Sequence, residues 1–121
     1  MSRNDFPKDN RLLSRRDFSR VYRKGQFLDS DGFVFYILKK EDERPRLGVV
    51  TPKKLGNAVE RNRVKRVIRE SFRKNKSRFS RLDLIVKPKR RAVFMDNSKL
   101  SEDFLNEFND SNRGGNNGEY N

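Results

Sequence analysis

Asn57-Ala58-Val59-Glu60-Arg61-Asn62-Arg63-Val64-Lys65-Arg66-Val67-Ile68-Arg69-Glu70-Ser71-Phe72-Arg73-Lys74 carries two patterns at once. Val64, Val67, Ile68 and Phe72 recur at helical spacing and share an arc of about 140°, the seam of a helix lying on a core. Asn57 is a good N-cap, and Glu60 falls at the N3 position of a capping box. On the side away from the seam, Asn62, Lys65, Arg66, Arg69 and Arg73 share about 100° of surface. Glu70 is the one acid near them, with Lys74 at i+4 as its expected partner.

Working outward, Arg46-Leu47-Gly48-Val49-Val50-Thr51 reads as a strand stopped by Pro52, and Leu82–Val86 as a buried strand stopped by Pro88. Phe33-Val34-Phe35-Tyr36-Ile37-Leu38 is a continuous apolar run of high β-propensity, expected to be a strand covered on both faces. Lys39–Arg44 reads as a charged hairpin loop joining it to the strand at Arg46. Gln26–Ser30 is a short strand before the Asp31-Gly32 turn. Upstream, Ser14 caps a short helix over Arg15–Arg23 with Phe18, Val21 and Tyr22 on one face, ended by Gly25. Ser98–Phe108 places Leu100, Phe104, Leu105 and Phe108 on the stripe of a final helix. The order helix, strands, helix, strand, helix indicates an α+β domain over residues 11–108. Residues 1–10 are expected to form a mobile arm, and the Asn/Gly-rich 109–121 a disordered tail.

The net charge of +13 resides entirely in residues 53–91, which hold 16 Lys and Arg against 3 Asp and Glu. Like charges stacked on one helix stripe repel by a few tenths of a kcal/mol per i,i+4 pair. A merely solvated helix usually alternates signs, so the stripe points to a polyanion, with a plain exposed basic face as the alternative. Arg forks onto phosphate oxygens and Lys acts as a point charge. Lys53, Lys54 and Gly56 precede the free N–H groups of the helix start, an expected anion site. Gly56 there either admits a phosphate or simply makes the turn.

The chain has neither Cys nor His. Disulfides, thiolate metal sites, Cys nucleophiles and the His-dependent triads and metal sites are therefore excluded. No apolar run approaches the length of a membrane span and the N-terminus lacks a signal-peptide core, so a cytoplasmic location is expected. A stand-alone nuclease would need a carboxylate cluster for metal ions, and Glu60, Glu70 and Asp83 do not suggest one.

Strand alternation separates Phe33, Phe35 and Ile37 from Val34, Tyr36 and Leu38. If the two longer helices cover one face, only the short first helix is left for the other. That leaves a groove lined by Phe18, Tyr22 and Tyr36, with Arg15, Arg16, Arg20 and Arg23 around it. Such rings are either core residues or platforms on which single-stranded RNA bases stack.

The run from Lys53 to Arg73 closely resembles the "RNR" signature of the bacterial ribonuclease P protein component. Arg15–Gly25 is similar to that family's first helix, Phe33–Leu38 and Arg46–Val49 to its central strands, and Asp83–Val86 to its last strand. The resemblance spans about residues 10–108 in the family's order. It implies a small mixed four-stranded sheet with three helices, a ribosomal-protein-like two-layer sandwich with a left-handed βαβ crossover. It also implies the protein subunit of a ribonucleoprotein endonuclease that removes the 5′ leader of precursor tRNA. The catalytic RNA then performs the hydrolysis with Mg²⁺, and the protein contributes no catalytic side chain or tightly bound metal.

Carried over, RNA-subunit contacts fall on Lys53, Lys54, Arg61, Asn62, Arg63, Lys65, Arg66, Arg69 and Arg73. Leader contacts fall on Phe18, Tyr22 and Tyr36. The partners implied are the catalytic RNA and precursor tRNA, with a monomeric protein, one per RNA, and no membrane. The chain departs from the family's pattern at Thr51-Pro52, at Glu60 and at Tyr22, where Phe is common. The alternative reading is a ribosomal or general RNA-binding protein using the same helix without a leader groove.

Overall fold

The computed structural model describes residues 10–117. It contains α1 (Arg15–Lys24), β1 (Gln26–Asp29), β2 (Phe33–Lys39), β3 (Arg46–Val49), α2 (Ala58–Lys74), β4 (Leu82–Pro88) and α3 (Asn97–Asn117). Short 3-10 turns lie at Lys53–Leu55, Lys76–Phe79 and Arg90–Phe94. This is the α+β arrangement expected, three helices with one mixed four-stranded sheet. α1 begins where Ser14 Oγ accepts the Asp17 N–H. α2 begins at the expected capping box, with Asn57 Oδ1 accepting the Glu60 N–H and Glu60 Oε1 accepting the Asn57 N–H. Each N-cap satisfies donors the helix cannot pair itself, worth about 1 kcal/mol.

The strand order is β1-β2-β4-β3. β2 pairs antiparallel with both β1 and β4, and β3 runs parallel to β4. The hairpin expected between β2 and β3 is therefore not formed, because β4 stands between them. Leu82 to Val86 are all buried, and a strand apolar on both faces belongs in the sheet interior, leaving the edge to four-residue β3. The Lys39–Arg44 loop instead ties to the residue before β4. Lys40 N–H donates to Arg81 O at 2.9 Å and Arg81 N–H to Glu43 O at 3.2 Å. Arg81 adopts φ 67°, a left-handed turn into β4.

Every seam residue of α2 is buried, and the main core joins them to Phe33, Phe35, Leu84, Val86, Phe104 and Phe108 among others. Phe79 completes it, with its ring 4.6 Å from both Phe72 and Phe108. Phe79 stands as one aromatic among basic residues, so no periodicity marks it as core in the sequence.

The other face of the sheet carries a smaller cluster of Leu12, Val21 and Ile85, with Phe18, Tyr36, Leu38 and Val50 half-buried around it. Among the described residues α1 is its only helical cover. Ten residues make a helix about 15 Å long, so Val34, Tyr36 and Leu38 remain half-buried rather than enclosed as the apolar run suggested.

Both expected boundaries move. Asn10 is buried and its Nδ2 donates to Pro45 O at 2.8 Å, so it belongs to the domain; residues 1–9 of the expected arm lie outside the described residues. α3 continues past Phe108 to Asn117, where a tail without structure was expected. Extending a formed helix needs no new nucleus and adds one hydrogen bond per residue, so backbone order outruns the apolar stripe. Residues 118–121 lie outside the description. No helix among the described residues is long and apolar enough to cross a membrane.

Candidate nucleic-acid interface

Two N–H groups at the start of α2, those of Asn57 and Glu60, are met by its own side chains. Gly56 is extended, and a Cβ there would lie 2.5 Å from Glu60 Oε1. The glycine thus makes room for the Glu60 carboxylate, which folds back over the helix start. Arg61 Nη1 donates to Gly56 O at 2.8 Å on the same turn. Glu60 thus places an internal carboxylate at the helix start, where it holds the Asn57 N–H. Lys53 and Lys54 stand exposed beside it on the preceding turn.

The basic stripe of α2 divides into two flanks. Arg61, Lys65 and Arg69 form one, all half-buried. Burial lowers the Lys65 pKa from its ordinary value, and the charges of Arg69 and Arg61 add to that effect. Burial also lowers that of Arg69, with the nearby Arg11 charge contributing. This flank therefore concentrates positive charge that an incoming anion would relieve. Asn62 and Arg66 are exposed between the flanks.

On the other flank Arg63 and Arg73 tie into the rest of the protein. Arg63 Nη1 donates to Asn97 Oδ1 at 2.8 Å and Nη2 to Val93 O at 2.9 Å, clamping the Arg90–Phe94 turn to α2. Arg73 Nη2 lies 2.7 Å from Glu70 Oε2, and its pKa is raised by that hydrogen bond. Lys74, the partner expected for Glu70, is more distant at 3.5 Å. Arg63 thus carries contacts that the helical wheel could not reveal, since its partners lie on other elements, and Arg73 takes the Glu70 that was expected to pair with Lys74.

The aromatic residues converge on the α1 face. The Tyr22 ring meets Tyr36 edge-on at 4.8 Å, and Phe18 lies 6.5 Å from Tyr22. A Cβ on Gly48 would come within 2.6 Å of Phe18 Cζ, so the Phe18 ring is seated directly on β3. Phe18 is the packed floor of the group, and Tyr22 its accessible edge. Two members escaped the sequence reading. Phe27 is 57% exposed and lies 5.3 Å from Tyr36, its register partner. Lys87 Nζ stands 4.8 Å over the Tyr22 ring and 5.4 Å over Tyr36. Alternation within Gln26–Asp29 would have placed Phe27 on this face. Lys87 fell one residue past the expected end of β4.

One end of this face is closed by charge. The Asp83 carboxylate is buried and meets Lys40 and Arg46, each at 2.8 Å, while Arg46 also reaches Asp17 at 3.1 Å. Burial opposes the Asp83 charge, but hydrogen bonds from Arg46 and Lys40 hold its pKa below the usual aspartate range. Arg20, expected at the groove rim, is drawn towards Asp17 and Asp83 instead. Among the described residues no group of three His, Cys, Asp or Glu side chains is placed to hold a metal ion.

Similarity to known proteins follows this geometry. The family model "Ribonuclease P" matches residues 6–111. A ribonuclease P protein component from Desulfosudis oleivorans is 37% identical over 109 residues, covering 89% of this chain and 90% of that one. One from Staphylococcus aureus is 46% identical over 77 residues, covering 63% and 67%. The solved structure of the Staphylococcus aureus protein superposes with a TM-score of 0.77 at 36% identity, covering 84% of this chain and 94% of that one. That of Thermotoga maritima gives 0.72 at 35%, covering 79% and 92%. With its helix-seam signature, its mixed sheet and its relatives in agreement, the chain belongs to the bacterial ribonuclease P protein component family, the protein subunit of the ribonucleoprotein endonuclease that processes the 5′ end of precursor tRNA.

Proposed function

We propose that the two surfaces divide the labour of that subunit. The exposed and half-buried basic residues of α2, led by Arg61, Lys65, Arg66 and Arg69 with Lys53, Lys54 and Asn62 beside them, hold the catalytic RNA. Arg63 and Arg73 support this surface from its edge, through Val93 and Asn97 in one case and Glu70 in the other. Tyr22 and Tyr36, standing on Phe18, take bases of the single-stranded 5′ leader, and Phe27 and Lys87 extend that surface.

The observation that carries this reading is the Lys87 ammonium poised over two tyrosine rings on the less covered face of the sheet. Aromatic faces accept stacked bases at about 1–3 kcal/mol each, and a cation among them answers the phosphates between the bases. The protein positions the leader and screens repulsion between two RNAs, and the RNA subunit carries the hydrolysis. Mg²⁺ belongs to the RNA in this account. The carboxylates nearest the groove, Asp17 and Asp83, are engaged by Arg46, Arg20 and Lys40, a donor set that answers them with cations already. The protein acts as a monomer, one per RNA.

The test is reconstitution. Purified protein added to bacterial ribonuclease P RNA at low Mg²⁺ is expected to raise precursor-tRNA cleavage; no change would sink the proposal. Protein alone is expected to leave the precursor intact.

A further inference from the structure

Most phenylalanines of the described chain are buried or form the leader groove, and Phe94 does neither. It is 74% exposed, at the end of the Arg90–Phe94 turn. That turn directs Ala92 into the core and Phe94 outward. Burying a phenylalanine normally gains about 2–3 kcal/mol, so an outward ring next to a formed core is left for something else.

Its surroundings are cationic. The Arg90 guanidinium lies 5.8 Å from the Phe94 ring centroid. Arg63 grips Val93 O, so the turn that carries the ring is tied to α2. Val59, 78% exposed, sits one helical turn before Arg63 on the same face and adds apolar surface. The neighbouring acids are committed elsewhere: Asp96 accepts the Lys99 N–H at 2.8 Å at the start of α3, and Asp31 pairs with Arg91 at 3.1 Å. An aromatic face beside the Arg90 guanidinium, among the cations of this surface, suits a nucleobase whose phosphate that arginine can reach. An apolar protein partner would meet unfavourable desolvation of those same charges.

We propose that Phe94 is a second stacking site, on which an unpaired base of the catalytic RNA docks beside Arg90. This inference rests on the RNA-subunit assignment of α2 and extends it to the turn after β4. The source is the RNA subunit rather than the leader. Arg63 fixes the turn to α2, whereas the leader groove lies on the α1 face, across the sheet from α2 and α3.

The chain has no Trp, so Phe94→Trp introduces a single fluorescent reporter at the site. Titrating ribonuclease P RNA into that variant is expected to quench its emission and to leave the affinity near wild type. Phe94→Ala is expected to weaken RNA-subunit binding about tenfold, the equivalent of about 1.4 kcal/mol. Its ratio of precursor to mature tRNA affinity in the assembled enzyme is expected to stay as in wild type.

Unquenched emission at saturating RNA, or wild-type affinity in Phe94→Ala, overturns the proposal. So does quenching by precursor tRNA without the RNA subunit, which would move the ring to the substrate. Loss of a protein dimer in Phe94→Ala also overturns it, giving the ring to a second copy of the chain. If the wild-type protein itself fails to bind the RNA subunit, the assignment of α2 falls first and this one with it.

Discussion

On the α2–α3 side of the sheet the Phe79 ring lies 4.6 Å from Phe72 and Phe108, and all three are buried. On the α1 side the Tyr36 ring lies 4.8 Å from Tyr22 and 5.3 Å from Phe27, and those two are exposed. Ring spacing does not separate the two groups. What differs is the cover: helices of 17 and 21 residues on one face against one of ten on the other. The same side-chain chemistry serves stability where helices exclude water, and in the proposed function it serves recognition where the rings stay partly exposed.

The sharpest way to break this comparison is truncation on each side. Phe79→Ala should cost about 3–5 kcal/mol in urea denaturation, as for other buried phenylalanines. Phe27→Ala should stay within about 0.5 kcal/mol of wild type. Equal losses would mean that the α1 face is core after all.

Next comes the charged end of the groove. Removing the Asp83 carboxylate leaves Arg46 and Lys40 without their buried partner, and Asp83→Ala should cost about 3 kcal/mol. The folded pKa of Asp83 is depressed, so its contribution is fully present above the ordinary aspartate value. It is lost as pH falls through the lower folded value, where the unfolded chain already binds the proton. Thermal unfolding of Asp83→Asn, followed from neutral to strongly acid pH, should therefore lose part of the wild-type acid sensitivity.

A smaller effect is expected where α1 meets the sheet. Gly48→Ala places a methyl 2.6 Å from Phe18 Cζ, and overpacking of this kind costs roughly 1–3 kcal/mol. Because Phe18 supports Tyr22, leader affinity should fall with it; stability loss with intact leader binding would detach Phe18 from the groove. The least effect on folding is expected from Arg66→Ala combined with Arg69→Ala. Its readout is the salt dependence of RNA assembly, whose slope should flatten by about one unit per lost phosphate contact.

α2 was legible because its cap and its seam are both local signals. The division of the sheet into a helix-covered and a sparsely covered face followed from alternation in Phe33–Leu38 together with the unequal helix lengths. β4 between β2 and β3 was not legible. Strand neighbours depend on long-range burial, and a six-residue polar loop reads as a hairpin when only its flanks are considered. At the site, Tyr22 and Tyr36 meet as expected. At the helix start the capping box forms as its spacing implies, and the Glu60 carboxylate takes the Asn57 N–H. Arg73 stands beside Glu70 on the helical wheel, whereas the partners of Arg63, Val93 and Asn97, lie on other elements that a wheel does not show.

The most direct measurement compares precursor and mature tRNA binding to the ribonucleoprotein assembled with Tyr36→Ala. The groove assignment predicts a loss of about 1–3 kcal/mol for the leader-bearing precursor and an unchanged affinity for mature tRNA. Equal losses for the two RNAs would contradict it and return Tyr36 to the core.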